Sequence, residues 1–277
     1  MDLVCVGDNV ADYYPEKNMF YPGGSAYNVA ILTGRYGLKP AYIGTFGSDI
    51  AGKHQLKVLE KEGIDSSHIT IKSGMNAISR IINRDGQSKV VKVNKGVYKQ
   101  FALQEEDLSF ISKFNYLHTT IYSYTEKYLS QFKESGLVIS FDYSFKSTDK
   151  YLQDTAPYVN IAFFSGEDIN MNLKKFMRFI SKLGPEYVIV TLGNEGVMAF
   201  YDGNYYFQPA PQIQVVDTLG AGDSFIAMFL NCFIKKNFSL PRALKISTQR
   251  AAECCQKYGS IGWGRKIENK AASFWKI

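Results

Sequence analysis

The sequence predicts an α/β fold, a mostly parallel sheet with helices between its strands and a small β flap set into the alternation. Three observations predict it. Short apolar runs end at glycine and lead into helical patterns, first at 3–7 and again at 41–47, which is the βαβ signature. Tyr187-Val188-Ile189-Val190-Thr191-Leu192 is apolar without alternation, as a strand buried on both faces must be. Two β-prone runs, 77–83 and 89–93, flank Asp85-Gly86 and signal a hairpin that breaks the α/β rhythm.

Taken in order, a strand at 3–6 reaches Gly7, and a segment rich in Tyr, Pro and Asn over 13–22 supplies a further flap strand. Gly23-Gly24-Ser25 opens a helix that Gly37 stops. A strand at 41–46 and a helix at 52–62, stopped by Gly63, complete the first repeat. After the flap, strands are expected at 115–119, 137–141, 160–164 and 187–192, with helices at 125–135 and 173–183. Runs 197–201 and 205–207 form a second hairpin around Asp202-Gly203. Ile213, Val215 and Val216 read as a last strand, followed by helices at 223–233 and 241–258. No repeat, low-complexity stretch or linker divides the chain, so residues 1–277 read as one domain with lid strands at about 13–22 and 76–96.

Composition narrows the function classes. Hydrophobic residues at 45% and charged residues at 21% describe a soluble globular chain. No apolar run approaches the roughly 18 residues of a membrane span, and the start lacks the basic and apolar regions of a signal peptide. A cytoplasmic protein without membrane partners is expected. The net charge of +6 suits a protein that handles polyanions such as nucleotides. Its lysines are dispersed and not interleaved with aromatics, so no nucleic-acid partner is expected. The four cysteines contain no C-x-x-C and read as buried free thiols; the three histidines are scattered, so no transition-metal site is expected.

The chemistry concentrates in Asp217-Thr218-Leu219-Gly220-Ala221-Gly222-Asp223-Ser224-Phe225. A Gly-x-Gly turn at a helix N-terminus aims backbone amides outward and makes an anion site. A helix-start aspartate alone only complements the helix dipole. The adjoining glycines are what a simple cap does not need, and they make Asp223 a carboxylate held beside the anion. Amides for a phosphate and a base for a hydroxyl are the parts of phosphoryl transfer to an alcohol. Ligands of open α/β sheets bind at the carboxyl ends of strands. There Asp8, Asp12, Gly23, Gly24, Asn28, Asp142, Thr191, Gly193, Asp217 and Asp223 would share one edge.

Those nine residues, 217–225, resemble the C-terminal signature of the ribokinase-like (PfkB) carbohydrate kinases. Gly23-Gly24 with Asn28 is similar to the family's N-terminal signature, and Gly7 with Asp12, Gly47-Ser48-Asp49 with Gly52, and Thr191-Leu192-Gly193 with Gly196 follow in the family's order. The resemblance implies a three-layer α/β/α sandwich with a β-sheet lid, and an ATP-dependent sugar kinase using Mg2+ with ATP. It implies Asp223 as the catalytic base and the Gly220, Ala221 and Gly222 amides as the anion hole. Asp12, Gly24 and Asn28 match sugar-binding positions, and Thr191 and Gly193, with Gly220 and Gly222, match nucleotide-binding ones. Asp217 matches a residue tied to a monovalent cation, which adds K+ to the implied cofactors, and the resemblance also implies a homodimer through the lid. Two departures stand out. Ser165-Gly166-Glu167-Asp168 replaces the family's Asn-x-x-Glu, leaving Asp168 as the implied Mg2+ residue, and Ser25 stands where ribokinases carry lysine.

Gly7-Asp8-Asn9, Tyr14-Pro15, Arg35-Tyr36-Gly37, Phe101-Ala102-Leu103 with Glu105-Glu106-Asp107, and Asp142-Tyr143-Ser144 look like bacterial fructoselysine 6-kinases. That implies the 6-hydroxyl of fructoselysine or a related fructosamine as acceptor. The alternatives are another kinase of the family, for fructose, ribose, a keto-deoxy acid or a nucleoside, and a sensor that binds sugar or nucleotide without turnover. For the substrate's amine, Asp8 and the Asp142-Tyr143 segment both lie near the right edge.

Overall fold

Fifteen strands and eight α-helices are described in the structure, a computed structural model that covers residues 2–145, 148–166, 171–235 and 238–267. In order they are β1 (Leu3–Val6), β2 (Val10–Tyr14), β3 (Met19–Gly23), α1 (Ser25–Arg35), β4 (Pro40–Ile43), β5 (Thr45–Gly47), α2 (Ile50–Lys61) and β6 (Thr70–Lys72). Then come β7 (Ile78–Arg84), β8 (Gln87–Asn94), α3 (Glu105–Ile111), β9 (Tyr116–Thr120), α4 (Leu129–Glu134), β10 (Val138–Asp142), α5 (Asp149–Thr155), β11 (Ile161–Ser165) and α6 (Met171–Leu183). The chain closes with β12 (Tyr187–Thr191), β13 (Gly196–Tyr201), β14 (Asn204–Pro209), α7 (Ala221–Lys235), α8 (Leu240–Cys254) and β15 (Arg265–Lys266).

The main sheet has the order β14-β13-β12-β11-β10-β9-β1-β4. Its pairs are parallel from β4 to β12 and antiparallel at β13 and β14. Strand side chains alternate between faces, so each parallel strand needs apolar residues at every position. In β1, Leu3 and Cys5 join a core with α1, α7 and α8, while Val4 and Val6 join the opposite core with α3, α4 and α6. Two cores on two faces of one sheet make the expected three-layer sandwich.

The lid is a separate five-stranded sheet, β15-β3-β2-β7-β8. Asp85 and Gly86 turn the β7–β8 hairpin with positive φ at both positions, the backbone of a tight two-residue turn. The expected lid strands are present, and β2 begins earlier than expected, at Val10, carrying Asp12 into the lid. Arg265–Lys266 adds a short edge strand that too few residues announce.

Three expectations are corrected. The run at 41–46 breaks at Gly44, and its second half pairs with β6 in a two-stranded sheet of its own. The helix expected at 125–135 is a 3-10 turn, Glu126–Tyr128, followed by the shorter α4. The β-branched run before the signature motif forms no strand. Val216 and Asp217 donate to the Cys255 carbonyl, and the Val216 carbonyl accepts from Asn83 Nδ2, so the polar groups of this stretch go to a helix end and to the lid. Propensity favoured extension, and tertiary partners chose irregular backbone over a ladder.

Candidate active site

The signature motif becomes the start of α7, which begins at Ala221 and so places both glycines at the helix N-terminus. Gly220 has φ +81°, and a β-carbon there would lie 2.1 Å from Ser260 Oγ and 2.7 Å from Ser260 Cα, so only glycine fits. In the first turn the Ala221 amide makes a long bond to the Thr218 carbonyl, 3.3 Å. The Gly222 and Asp223 amides have no backbone acceptor among the described residues, as expected of a helix N-terminus. Gly222 is exposed and borders open space, room for an anion to reach those amides.

Asp223 meets α1 across this opening. Ser25 Oγ donates to its Oδ1 at 2.7 Å, and Asn28 Nδ2 donates to its Oδ2 at 2.7 Å. The residues 23–28 and 220–223, far apart in sequence, therefore converge on one carboxylate. Burial raises the Asp223 carboxyl to about 6, the two donors oppose that, and the Asp8 charge adds to it. Asn28 Oδ1 stays buried with no partner.

The α1 start is itself held by Asp8. Gly24 precedes it at φ +102°, where a β-carbon would strike Asn9 Cα at 2.6 Å, and glycine cannot cap with a side chain. Asp8 caps instead, accepting from the Ser25 amide (2.7 Å), the Ala26 amide (3.2 Å), Thr120 Oγ1 (3.0 Å) and Ser123 Oγ (3.2 Å).

Asp142, at the carboxyl end of β10, lies on the far side of Ser25. Its Oδ1 accepts from the Ser144 amide at 2.9 Å, and its Oδ2 is 3.4 Å from Ser25 Oγ. Burial raises its carboxyl to about 7; the Ser144 amide opposes, and the charges of Asp223 and Asp8 push it further up. Asp12, buried on β2, is likewise raised well above the carboxylate range by burial, then by Asp223, Asp217 and Asp8. Three carboxyls thus share one field.

Asp217 is fully buried behind the motif. Tyr14 OH donates to its Oδ2 at 2.6 Å, the Gly259 amide to the same oxygen at 3.1 Å, and the Leu219 amide to Oδ1 at 2.9 Å. Next to it the lid hairpin docks on the motif: the Thr218 amide donates to the Gly86 carbonyl and the Ser88 amide to Thr218 Oγ1, both at 3.0 Å. Thr191 and Gly193 sit at the end of β12 on the same edge, Gly193 beside open space, but neither bonds to the Asp223 group. Asp168 lies outside the described residues.

Ser25 is the functional side chain that sequence reasoning missed; its only signal was its place after the paired glycines. The hairpin contact with Thr218 had no signal short of the fold.

Comparison with known proteins gives matches over nearly the whole chain. A family model described as pfkB family carbohydrate kinase matches residues 1–264. The chain is 40% identical over 270 residues to fructosamine kinase FrlD of Bacillus subtilis, covering 95% of this chain and 94% of that protein. It is 35% identical over 259 residues to fructoselysine 6-kinase of Escherichia coli, covering 93% and 98%. An Escherichia coli structure described as a ribokinase II in complex with ATP and Mg2+ shares the fold at TM-score 0.82, with 18% identity and 94% of each chain covered.

Proposed function

Since the chain belongs to the pfkB family of carbohydrate kinases, and is an ATP-dependent carbohydrate kinase, we propose that it phosphorylates the 6-hydroxyl of fructoselysine or a related fructosamine. The observation that supports the chemistry is the convergence of Ser25 and Asn28 from α1 on Asp223 at the start of α7. The acceptor hydroxyl binds at Asp223, between the sugar wall of α1 and the open amides of Gly222 and Asp223. Asp223 orients the hydroxyl and takes its proton as the oxygen bonds to the γ-phosphorus and ADP leaves. A conjugate acid near 6 keeps it ionised at neutral pH and a stronger base than an ordinary aspartate. Asp12 and the Gly24 backbone hold sugar hydroxyls, and Thr191 and Gly193 border the nucleotide.

Among the described residues no cluster of three or more His, Cys, Asp or Glu could hold a metal. The Mg2+ ion would be carried chiefly by the ATP phosphates, where it would neutralise the charge in transit. Asp168 is its proposed carboxylate partner. Asp217, with three protein donors already on it, acts first as a brace for the motif, and its Oδ1 keeps a lone pair for a K+ ion. A homodimer through the lid is supported by Val90, Val91 and Val93 of the edge strand β8, about half exposed at 51%, 49% and 52%. Four buried free cysteines support a reducing, cytoplasmic setting.

Coupled ADP release with Mg-ATP, run against fructoselysine, fructose, ribose and nucleosides, tests the acceptor. Fructoselysine should give a kcat/KM at least about tenfold above the others, a difference of about 1.4 kcal/mol. A clear preference for a neutral sugar or a nucleoside overturns the proposal.

A further inference from the structure

We infer that the Asp142 carboxylate pairs with the protonated secondary amine of a fructosamine and so selects amine-bearing sugars over neutral ones. This rests on the fructosamine reading above and names the residue that enforces it.

Ser25 Oγ carries one hydrogen and faces two carboxylates. Asp223 is at 2.7 Å and Asp142 at 3.4 Å, so the hydrogen goes to Asp223. Asp142 Oδ2 is left with only that long 3.4 Å contact, while its Oδ1 is held by the Ser144 amide. Asp8, the other carboxylate offered for the amine, has four donors and its place is structural, at the head of α1. The choice between the two that sequence left open therefore falls to Asp142.

Charge argues the same way. Asp223 and Asp8 bear on Asp142, and Asp8, Asp12 and Asp142 share the field around Asp223. Among the described residues no lysine, arginine or histidine forms an ion pair with Asp142 or Asp223. A neutral sugar would leave this concentration of negative charge as it stands, whereas an ammonium relieves it and gains a charge-assisted hydrogen bond. A separate observation asks for a donor as well. Asn28 Oδ1 is a buried acceptor with no partner, on the amide whose nitrogen holds Asp223, so a donor is missing next to that carboxylate. Asp142 and Asp223 both lie within hydrogen-bond reach of the Ser25 hydroxyl, close enough for one sugar to meet both.

The test compares full-length wild type, Asp142→Asn and Asp142→Glu with Mg-ATP and either fructoselysine or fructose at pH 8, by ADP release. The expected result is that Asp142→Asn lowers the ratio of kcat/KM for fructoselysine over fructose at least about 30-fold, mostly through KM for fructoselysine, as loss of one partner of a buried charge pair would. Asp142→Glu keeps the charge and should retain a preference for fructoselysine. Should both substrates weaken alike in Asp142→Asn, leaving the ratio within threefold of wild type, Asp142 is structural and the inference falls while the fructosamine reading stands. If wild type itself shows no preference for fructoselysine, that reading falls and carries the inference with it. Circular dichroism and KM for ATP, both expected near wild-type values in Asp142→Asn, establish that the variant is folded.

Discussion

The two walls of the cleft are finished to different degrees. On the phosphate wall, the groups behind the open Gly222 and Asp223 amides are already braced by the protein: Tyr14, Leu219 and Gly259 hold Asp217, and the lid hairpin holds Thr218. On the sugar wall, acceptors outnumber donors: Asp142 Oδ2 competes for a hydrogen that Asp223 takes, and Asn28 Oδ1 has none. The phosphate wall meets the same chemical group in every turnover, so it can be braced before anything binds, and a preorganised site pays no reorganisation during reaction. On the proposed assignment, the sugar wall is completed by its acceptor, and its unmatched charge is where discrimination would reside.

Asp223 stands where the walls meet, and removing the base function proposed for it should have the largest effect. Asp223→Asn is expected to lower kcat at least about 10²-fold with little change in KM for ATP, read by steady-state kinetics. Activity within tenfold of wild type would sink the assignment. The wild-type profile carries the same signature. A base raised to about 6 must be ionised to act, so kcat/KM should fall as pH drops through that region and level off above it. Asp142 at about 7 broadens the fall for fructoselysine, because both carboxylates must be charged and they titrate as a coupled pair.

A smaller effect, confined to the phosphate wall, would sharpen the contrast. Gly220→Ala places a methyl against Ser260 at a backbone angle that L-residues rarely adopt, strain of about 1–3 kcal/mol that the motif must absorb by shifting. Its kcat should fall about tenfold or more while the ratio of fructoselysine to fructose stays near the wild-type value. A changed ratio would mean that the walls are not independent.

The same division explains what the sequence disclosed. The Gly220–Asp223 turn was legible because amides at a helix start and a carboxylate beside them are local, set by residues adjacent in the chain. The sandwich was legible because parallel strands must be apolar on both faces. Asp142 was legible as a polar residue at a strand end, but the weak donor on its Oδ2 depends on Ser25, whose hydrogen is claimed by a residue 198 positions away. The missing strand at 213–216 failed for a related reason: its backbone partners are the lid and the end of α8, which no local pattern names.

The smallest effect expected concerns stability, and it separates the walls without any turnover. Folding raises Asp142 to about 7 and Asp223 to about 6 from ordinary values near 3.8, so the folded state binds protons more tightly than the unfolded chain between those limits. The unfolded chain holds fewer protons there, and stability must fall as pH rises from about 4 to about 7, with the full penalty present above it. Removing the Asp142 charge should recover part of that penalty. Asp142→Asn is therefore expected to melt about 2–4 °C above wild type at pH 8, a gap that shrinks toward pH 5, measured by calorimetry without substrate. Saturating fructoselysine should raise the wild-type melting temperature more than that of Asp142→Asn, because only the wild type has the unpaired carboxylate that the ammonium neutralises. A variant less stable than wild type at pH 8, and equally responsive to the sugar, would show that the sugar wall is as complete without its substrate as the phosphate wall.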